Sequence, residues 1–181
     1  MSKEKIRKVA IVGNHITSRD APWDDEAFDF WIINGAIKDV EGKRVAKWFD
    51  LHDWSIANYT PDYLKHIPVK PAFDIVTMDE YPYREIMDRY GYLWENSIPM
   101  LMAYAGYLDY RHIYIFGCEG NEYTDAPLMA ANLYHIMGAL RQEGRKVYLC
   151  NYSQMDTGGL YGYKNLQKTR IPAGFEFKRG E

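Results

Sequence analysis

The chain has 181 residues, 47% of them hydrophobic, and its 22 Lys and Arg against 25 Asp and Glu leave a formal charge of −3. That length suits one domain whose core needs no disulfide or metal staple, and the mixed, slightly acidic charge disfavours nucleic-acid binding, which needs a clustered basic face. No apolar run approaches the roughly 20 residues that span a bilayer, and the charged start (Lys3, Lys5, Arg7, Lys8) leads into a strand rather than a signal peptide, so a cytoplasmic protein is expected.

In chain order, Lys8 to Asn14 (KVAIVGN) reads as a fully buried strand, because apolar, largely β-branched runs ending in Gly mark parallel strands covered on both faces. A polar stretch with Thr17, Ser18, Asp20 and Pro22 follows. Phe28 to Asn34 (FDFWIIN) is a second strand, and Ala46 to Leu51 (AKWFDL) a third, running into His52 and Asp53. Thr60 as cap, with Pro61 at the first helical position, starts a short helix that ends before Pro68. Ala72 to Met78 is a weaker fourth strand, and Tyr83 to Tyr90 a short helix closed by Gly91. Asn96 and Ser97 precede an apolar helix from Ile98 to Tyr107. Arg111 to Gly117 is the fifth strand, a helix runs from about Asp125 to Glu143, and Lys146 to Asn151 is the sixth.

Strands alternating with crossovers imply parallel pairing. The expected fold is α/β: a three-layer Rossmann-like arrangement with a mainly parallel sheet of about six strands. Residues 1–151 form this domain, and 152–181 form an arm that packs on it or on a partner subunit. The 16 Tyr, 7 Phe and 5 Trp pack a small core or lie partly exposed where an apolar body meets a ligand or partner, and the aromatic-rich surface with the C-terminal arm makes a homo-oligomer the expected assembly. Cys118 and Cys150 form no CxxC pair and read as buried thiols in a reducing compartment.

The informative pattern lies in the residues just beyond each strand: Gly13 and Asn14, Asn34, His52 and Asp53, Gly117 to Glu119, and Asn151. In an open parallel sheet these ends share one edge, where ligands bind at the topological switch point. Amides there offer a donor and an acceptor to a base or a ribose. The carboxylates of Asp53 and Glu119 accept from sugar hydroxyls, hold a divalent metal ion, or act as general bases. His52 is the best acid–base candidate among the histidines, whereas mid-helix His135 reads as a surface or satisfied core residue. Ser97 caps its helix or offers the free N–H groups there to a phosphate.

The chain lacks the spaced glycines of the dinucleotide fingerprint and the Gly-Lys-Ser/Thr of the Walker loop. It also has no Gly-x-Ser-x-Gly elbow and no zinc-spaced Cys/His cluster, which leaves the metal set empty.

The order of these motifs resembles a known group. The motifs are Ile11-Val-Gly-Asn14, a strand ending at Asn34, Ser97 opening an apolar helix into Gly106-Tyr107, His112-Ile-Tyr-Ile-Phe-Gly117 followed by an acidic residue and a Tyr, and Lys146-Val-Tyr-Leu-Cys150. Over roughly residues 7 to 151 the sequence resembles the Rossmann-like bacterial sialyltransferases that use CMP-sialic acid. It is also similar to the related flagellar-accessory glycosyltransferase-like domains and archaeal-type hydroxymethylpterin diphosphokinases, and to small phage-encoded members. The resemblance implies nucleotide or nucleotide-sugar binding. Gly13, Asn14, Asn34 and Ser97 (with Asn96 beside it) match the residues that hold the cytidine nucleotide, and Tyr123 (with Glu122 beside it) matches the tyrosine at the phosphate. Those transferases carry a lid with a catalytic His between the fifth strand and the last helix. Here only residues 118–124 fill that gap, without a His. The expectation is a nucleotide-binding, glycosyltransferase-like protein with His52, Asp53 or Glu119 as acid–base or metal groups. The alternative is a non-catalytic, phage-type binder that sequesters or senses a nucleotide signal.

Overall fold

A computed structural model describes residues 6–52, 61–91, 96–118 and 126–149. Asp53, Glu119, Glu122, Tyr123 and the expected arm at 152–181 lie outside the described residues. Six strands form one all-parallel sheet: β1 (Lys8–Val12), β2 (Phe28–Ile33), β3 (Lys47–Phe49), β4 (Asp74–Val76), β5 (His112–Phe116) and β6 (Lys146–Leu149), in the spatial order β4-β3-β2-β1-β5-β6. The chain steps outward from β1 to β4, then returns to β5 on the other side of β1, where Lys8 lies opposite both Phe28 and His112.

Right-handed crossovers force the two halves of this path onto opposite faces of the sheet. The outward path carries three 3-10 turns, η1 (Ile16–Asp20), η2 (Asn34–Asp39) and η3 (Asp62–His66). The return path carries α1 (Tyr83–Tyr90), α2 (Ser97–Tyr107) and α3 (Ala126–Gln142). The alternation of strand side chains supplies both faces. Val9 and Ile11 of β1 join Trp31, Phe49, Ile113, Leu101 and Ile136 under the α-helices. Ala10 and Val12 join Phe30, Ile32, Trp48, Phe116, Ala36 and Ile37 under the 3-10 turns. The sheet is therefore sandwiched as expected, with one layer much thinner than the other.

Strands β3 and β4 are shorter than the expected 46–51 and 72–78 because the chain turns out of the sheet at Asp50, and the edge strand β4 pairs on one side alone. Pro61 is not the first helical residue. Its extended backbone (φ −65°, ψ 136°) places it before η3, and Ile67, extended ahead of Pro68, ends that turn too soon for an α-helix. At α1 the expectation holds to the residue: Gly91 takes a φ of +85°, open to glycine, and its N–H donates to the Met87 carbonyl. His135 bonds through Nε2 to the Tyr90 carbonyl at 2.6 Å, a satisfied structural histidine as expected. Cys118 is buried, its thiol donating to the Phe116 carbonyl at 3.2 Å. No helix among the described residues is long and apolar enough to cross a membrane.

Trp31 centres the α-helical side, fully buried, with its ring 5.2 Å from Phe49, 5.5 Å from Tyr104 and 5.2 Å from Tyr110. Aromatic rings of this size dominate the burial energy of a core. Trp31→Ala is expected to cost about 3–5 kcal/mol of stability, read from urea unfolding. A change within the error of the urea midpoint would show that the core does not rest on Trp31.

Candidate functional site at the C-terminal edge of the sheet

Parallel strands bring all their C-terminal ends to one edge, and β1 and β5 meet there at the switch point. The Gly13 N–H donates to Phe116 O (2.9 Å) and the His15 N–H to Gly117 O (3.1 Å), so the ladder continues past both strands. A Cβ on Gly13 would lie 2.2 Å from Gly117 O, and one on Gly117 (φ +63°) would lie 2.6 Å from Gly13 O. Side chains at either position would drive the two strands apart. The Gly117 N–H donates to the buried Thr17 hydroxyl (3.1 Å), which draws η1 over this junction. Gly13 is thus buried in the junction, while Asn14, the next residue, is exposed beside it.

At the end of β2, Asn34 adopts a left-handed backbone (φ 45°), a conformation that asparagine tolerates better than most residues. Its carbonyl accepts from the Trp48 indole (3.0 Å), and its Oδ1 is buried without a hydrogen-bond partner. Gly35 follows, where an added Cβ would lie 3.8 Å from the Asn14 Nδ2 and 3.5 Å from the Tyr63 ring. Asn14, Gly35 and Tyr63 therefore stand side by side, and two of the residues singled out in the sequence, Asn14 and Asn34, flank this point.

The third strand end holds what the sequence reading missed. Asp50, fully buried, accepts from the His52 ring Nδ1 (2.6 Å), the His52 backbone N–H (3.2 Å) and the Tyr63 hydroxyl (2.7 Å). Burial pushes the Asp50 carboxyl up, but the hydrogen bonds from His52 and Tyr63 outweigh it and hold it below the usual carboxylate range. The hydrogen bond to Asp50 in turn raises the His52 imidazole above its ordinary value, against the opposing pull of burial. With Asp50 ionised, Nδ1 carries the proton and donates it, which fixes the tautomer and aims Nε2 away from the carboxylate. His52 keeps 45% of its side chain exposed. A buried carboxylate orienting a half-exposed imidazole is equipped for acid–base work.

Ser97 and Asn96 come to the same edge from the opposite face. Helix α2 ends just before β5 begins, so it runs against the strands and its N-terminus points to their C-terminal ends. The cap is Asn96, not Ser97: Asn96 has an extended backbone and its Oδ1 accepts from the Ile98 N–H at 2.8 Å, which leaves Ser97 as the first helical residue. No described contact joins Ser97 to Asn14 or Asn34. Among the described residues no group of three or more His, Cys, Asp or Glu is gathered to hold a metal ion.

The chain matches no protein-family model and no characterised protein in sequence. Solved structures share its kind of fold. Thiamine pyrophosphokinase from Bacillus subtilis superposes with a TM-score of 0.50 at 16% identity, over 78% of this chain and 59% of that one. This chain therefore spans about three-fifths of the length of that enzyme. The sialyltransferase CstII from Campylobacter jejuni gives a TM-score of 0.46 in complex with the substrate analogue CMP-3FNeuAc, at 13% identity, over 78% of this chain and 79% of that one. In complex with cytidine-5'-monophosphate it gives 0.46 at 17% identity, over 80% and 79%. At 16% identity the likeness to the pyrophosphokinase is one of fold alone, an α/β sheet with helices.

Removing the Asp50 charge tests the pair directly. In Asp50→Asn the His52 pKa should fall towards or below that of an unperturbed histidine, read by NMR titration of the imidazole. The sign for stability comes from linkage: a raised histidine stabilises fully below its unfolded value of about 6.5 and loses that contribution as pH climbs through the folded value. The stability gap between wild type and Asp50→Asn should therefore be wider at about pH 6 than at about pH 9. An unchanged imidazole titration would show that Asp50 does not hold the ring.

Proposed function

We propose that the chain binds a nucleotide or nucleotide sugar at the C-terminal edge of its sheet and transfers a group from that activated donor, with His52 as the acid–base residue. The observation that carries this reading is the imidazole held by buried Asp50, standing across Tyr63 and Gly35 from the Asn14 amide. The orphaned Asn34 Oδ1 adds to it: a buried acceptor without a donor is costly, and a ribose hydroxyl supplies one. The sequence resemblance to CMP-dependent transferases supports the same ligand class. In this reading Gly13 lets backbone and ligand approach at the β1 end, and Ser97 at the first turn of α2 and Tyr123 serve the phosphate. Asp53, Glu119 and Glu122 are assigned to sugar hydroxyls or a divalent ion.

These roles define the chemistry. An acceptor hydroxyl attacks the carbon of the transferred group, the bond from that carbon to the phosphate oxygen breaks, and its electron pair leaves with the nucleotide. Nε2 of His52 takes the acceptor proton, so the imidazole must be neutral and the rate should rise with pH through its pKa. Where no acceptor is bound, water takes its place and the donor is hydrolysed.

Calorimetry with CMP, UMP and a CMP-sugar, with chromatography of the donor afterwards, tests the reading. Expected are saturable binding, a loss of affinity in Asn34→Ala, and donor cleavage that collapses in His52→Gln while nucleotide affinity stays within a factor of about three. Donor recovered intact after binding would mark a nucleotide binder without turnover, and no binding of any nucleotide would end the proposal.

A further inference from the structure

On the 3-10 face, next to the edge that carries Asn14 and Asn34, η1 and η2 enclose a recess of about 450 Å³, within the ~300–1,000 Å³ usual for small-molecule sites. Its floor is Val12 and Gly13 at the end of β1, Ala36 of η2 and Val40 just beyond that turn, and Asn14 closes the side nearest Gly35. Trp23 forms a wall. The indole stacks on Phe30 (4.8 Å between centroids, 25° between planes), and its Nε1–H donates to the Ser18 carbonyl at 3.3 Å. A ring pinned on one face and along one edge is a prepared surface rather than a loose side chain.

The charges around the recess are arranged unlike those beside them. Lys38 pairs with Asp62 (3.7 Å), Arg44 donates to the carbonyls of Asp25 (3.1 Å) and Phe28 (2.7 Å), and Lys47 pairs with Asp74 (2.5 Å). The side chains of Arg19 and Lys43, which line the recess, have no carboxylate or carbonyl partner among the described residues, and Lys43 Nζ lies 6.0 Å from the centroid of the Trp23 ring. Asp39, also on the lining, is likewise unpaired and accepts from no described donor.

We infer that this recess is a second binding site, for a small anionic carbohydrate that sets its phosphate or carboxylate between Arg19 and Lys43. Its ring lies on Trp23, since an aromatic face takes the C–H face of a sugar, and its hydroxyls donate to Asp39. Two cations to one carboxylate give the recess a net positive charge, and the carboxylate selects for hydroxyls among anions. The inference does not need a nucleotide to bind at the neighbouring edge.

The test tracks the indole N–H signal of Trp23 by NMR, assigned through Trp23→Phe, during titration with glucose 6-phosphate, glucuronate, glucose and inorganic phosphate. Saturable movement with glucose 6-phosphate or glucuronate, with affinity at least about tenfold weaker for glucose and for inorganic phosphate, is the expected result. Which of the two anions binds tighter identifies the charged group. Arg19→Ala with Lys43→Ala, both on exposed residues, should abolish the movement without lowering the melting temperature. Equal binding of glucose, persistence in the double variant, or no movement with either anionic sugar would overturn the inference. Displacement of the bound sugar by CMP would also overturn it, since the recess would then be the nucleotide's own. If CMP binds nowhere while the sugar signal stands, the proposed function fails and this site remains.

Discussion

Everything at the C-terminal edge of the sheet depends on how closely two glycines pass. The ends of β1 and β5 approach until Gly13 and Gly117 leave no room for a Cβ on either, and the Thr17 hydroxyl closes over them. Because the strands stay paired to their last residues, the chain leaves β1 at one fixed point, and Asn14 is delivered there whatever the neighbouring loops do. That point is the switch at which the path of the sheet reverses. The closed junction also leaves no space between the strand ends, so the open room at this edge lies above and beside them.

From that junction outward, the edge is organised by compensation. An ionised carboxylate out of contact with water is costly unless hydrogen bonds replace the solvent. Asp50 has such replacements from a ring N–H, a backbone N–H and a phenol. The same bonds that stabilise Asp50 immobilise His52 and Tyr63, so the cost of burying the charge is offset by groups that then have one orientation each. Tyr63 also packs edge-on against Trp48, whose indole reaches back to Asn34. The ends of β2 and β3 are thereby tied into one polar assembly, resting on the aromatic core beneath.

Much of the fold was legible in the chain because buried parallel strands leave short, nearly continuous apolar runs, and KVAIV, FDFWII and HIYIF each lie inside the strand expected. The end of α1 was legible because only a residue free to take positive φ closes it as Gly91 does. The 3-10 turns were not, η2 above all, since Asn34 to Asp39 carries no helical period. At the edge, Asn14 and Asn34 stood out as amides after strands, and the structure brings the Asn14 amide against Gly35, the residue after Asn34. Asp50 did not, because it read as part of the strand AKWFDL, and the alternation of inward and outward positions gives no sign that the carboxylate turns inward to meet a histidine two residues on. That spacing, Asp50-Leu51-His52, was the available signal. Tyr63 had none, since its partner is fixed by how η3 folds back over β3.

The outer strand β4 has a further bearing on how the protein behaves in company. A parallel sheet ends in rows of unpaired amides and carbonyls that invite another chain to add a strand. Here β4 is three residues long and opens on Asp74, tethered by Lys47, shortly after Lys70 and Pro71. A short, charged margin with a proline ahead of it is a poor template for strand addition. That margin is therefore a poor place for copies of this chain to meet, and it stays clear of the cross-β stacking that exposed edges otherwise promote.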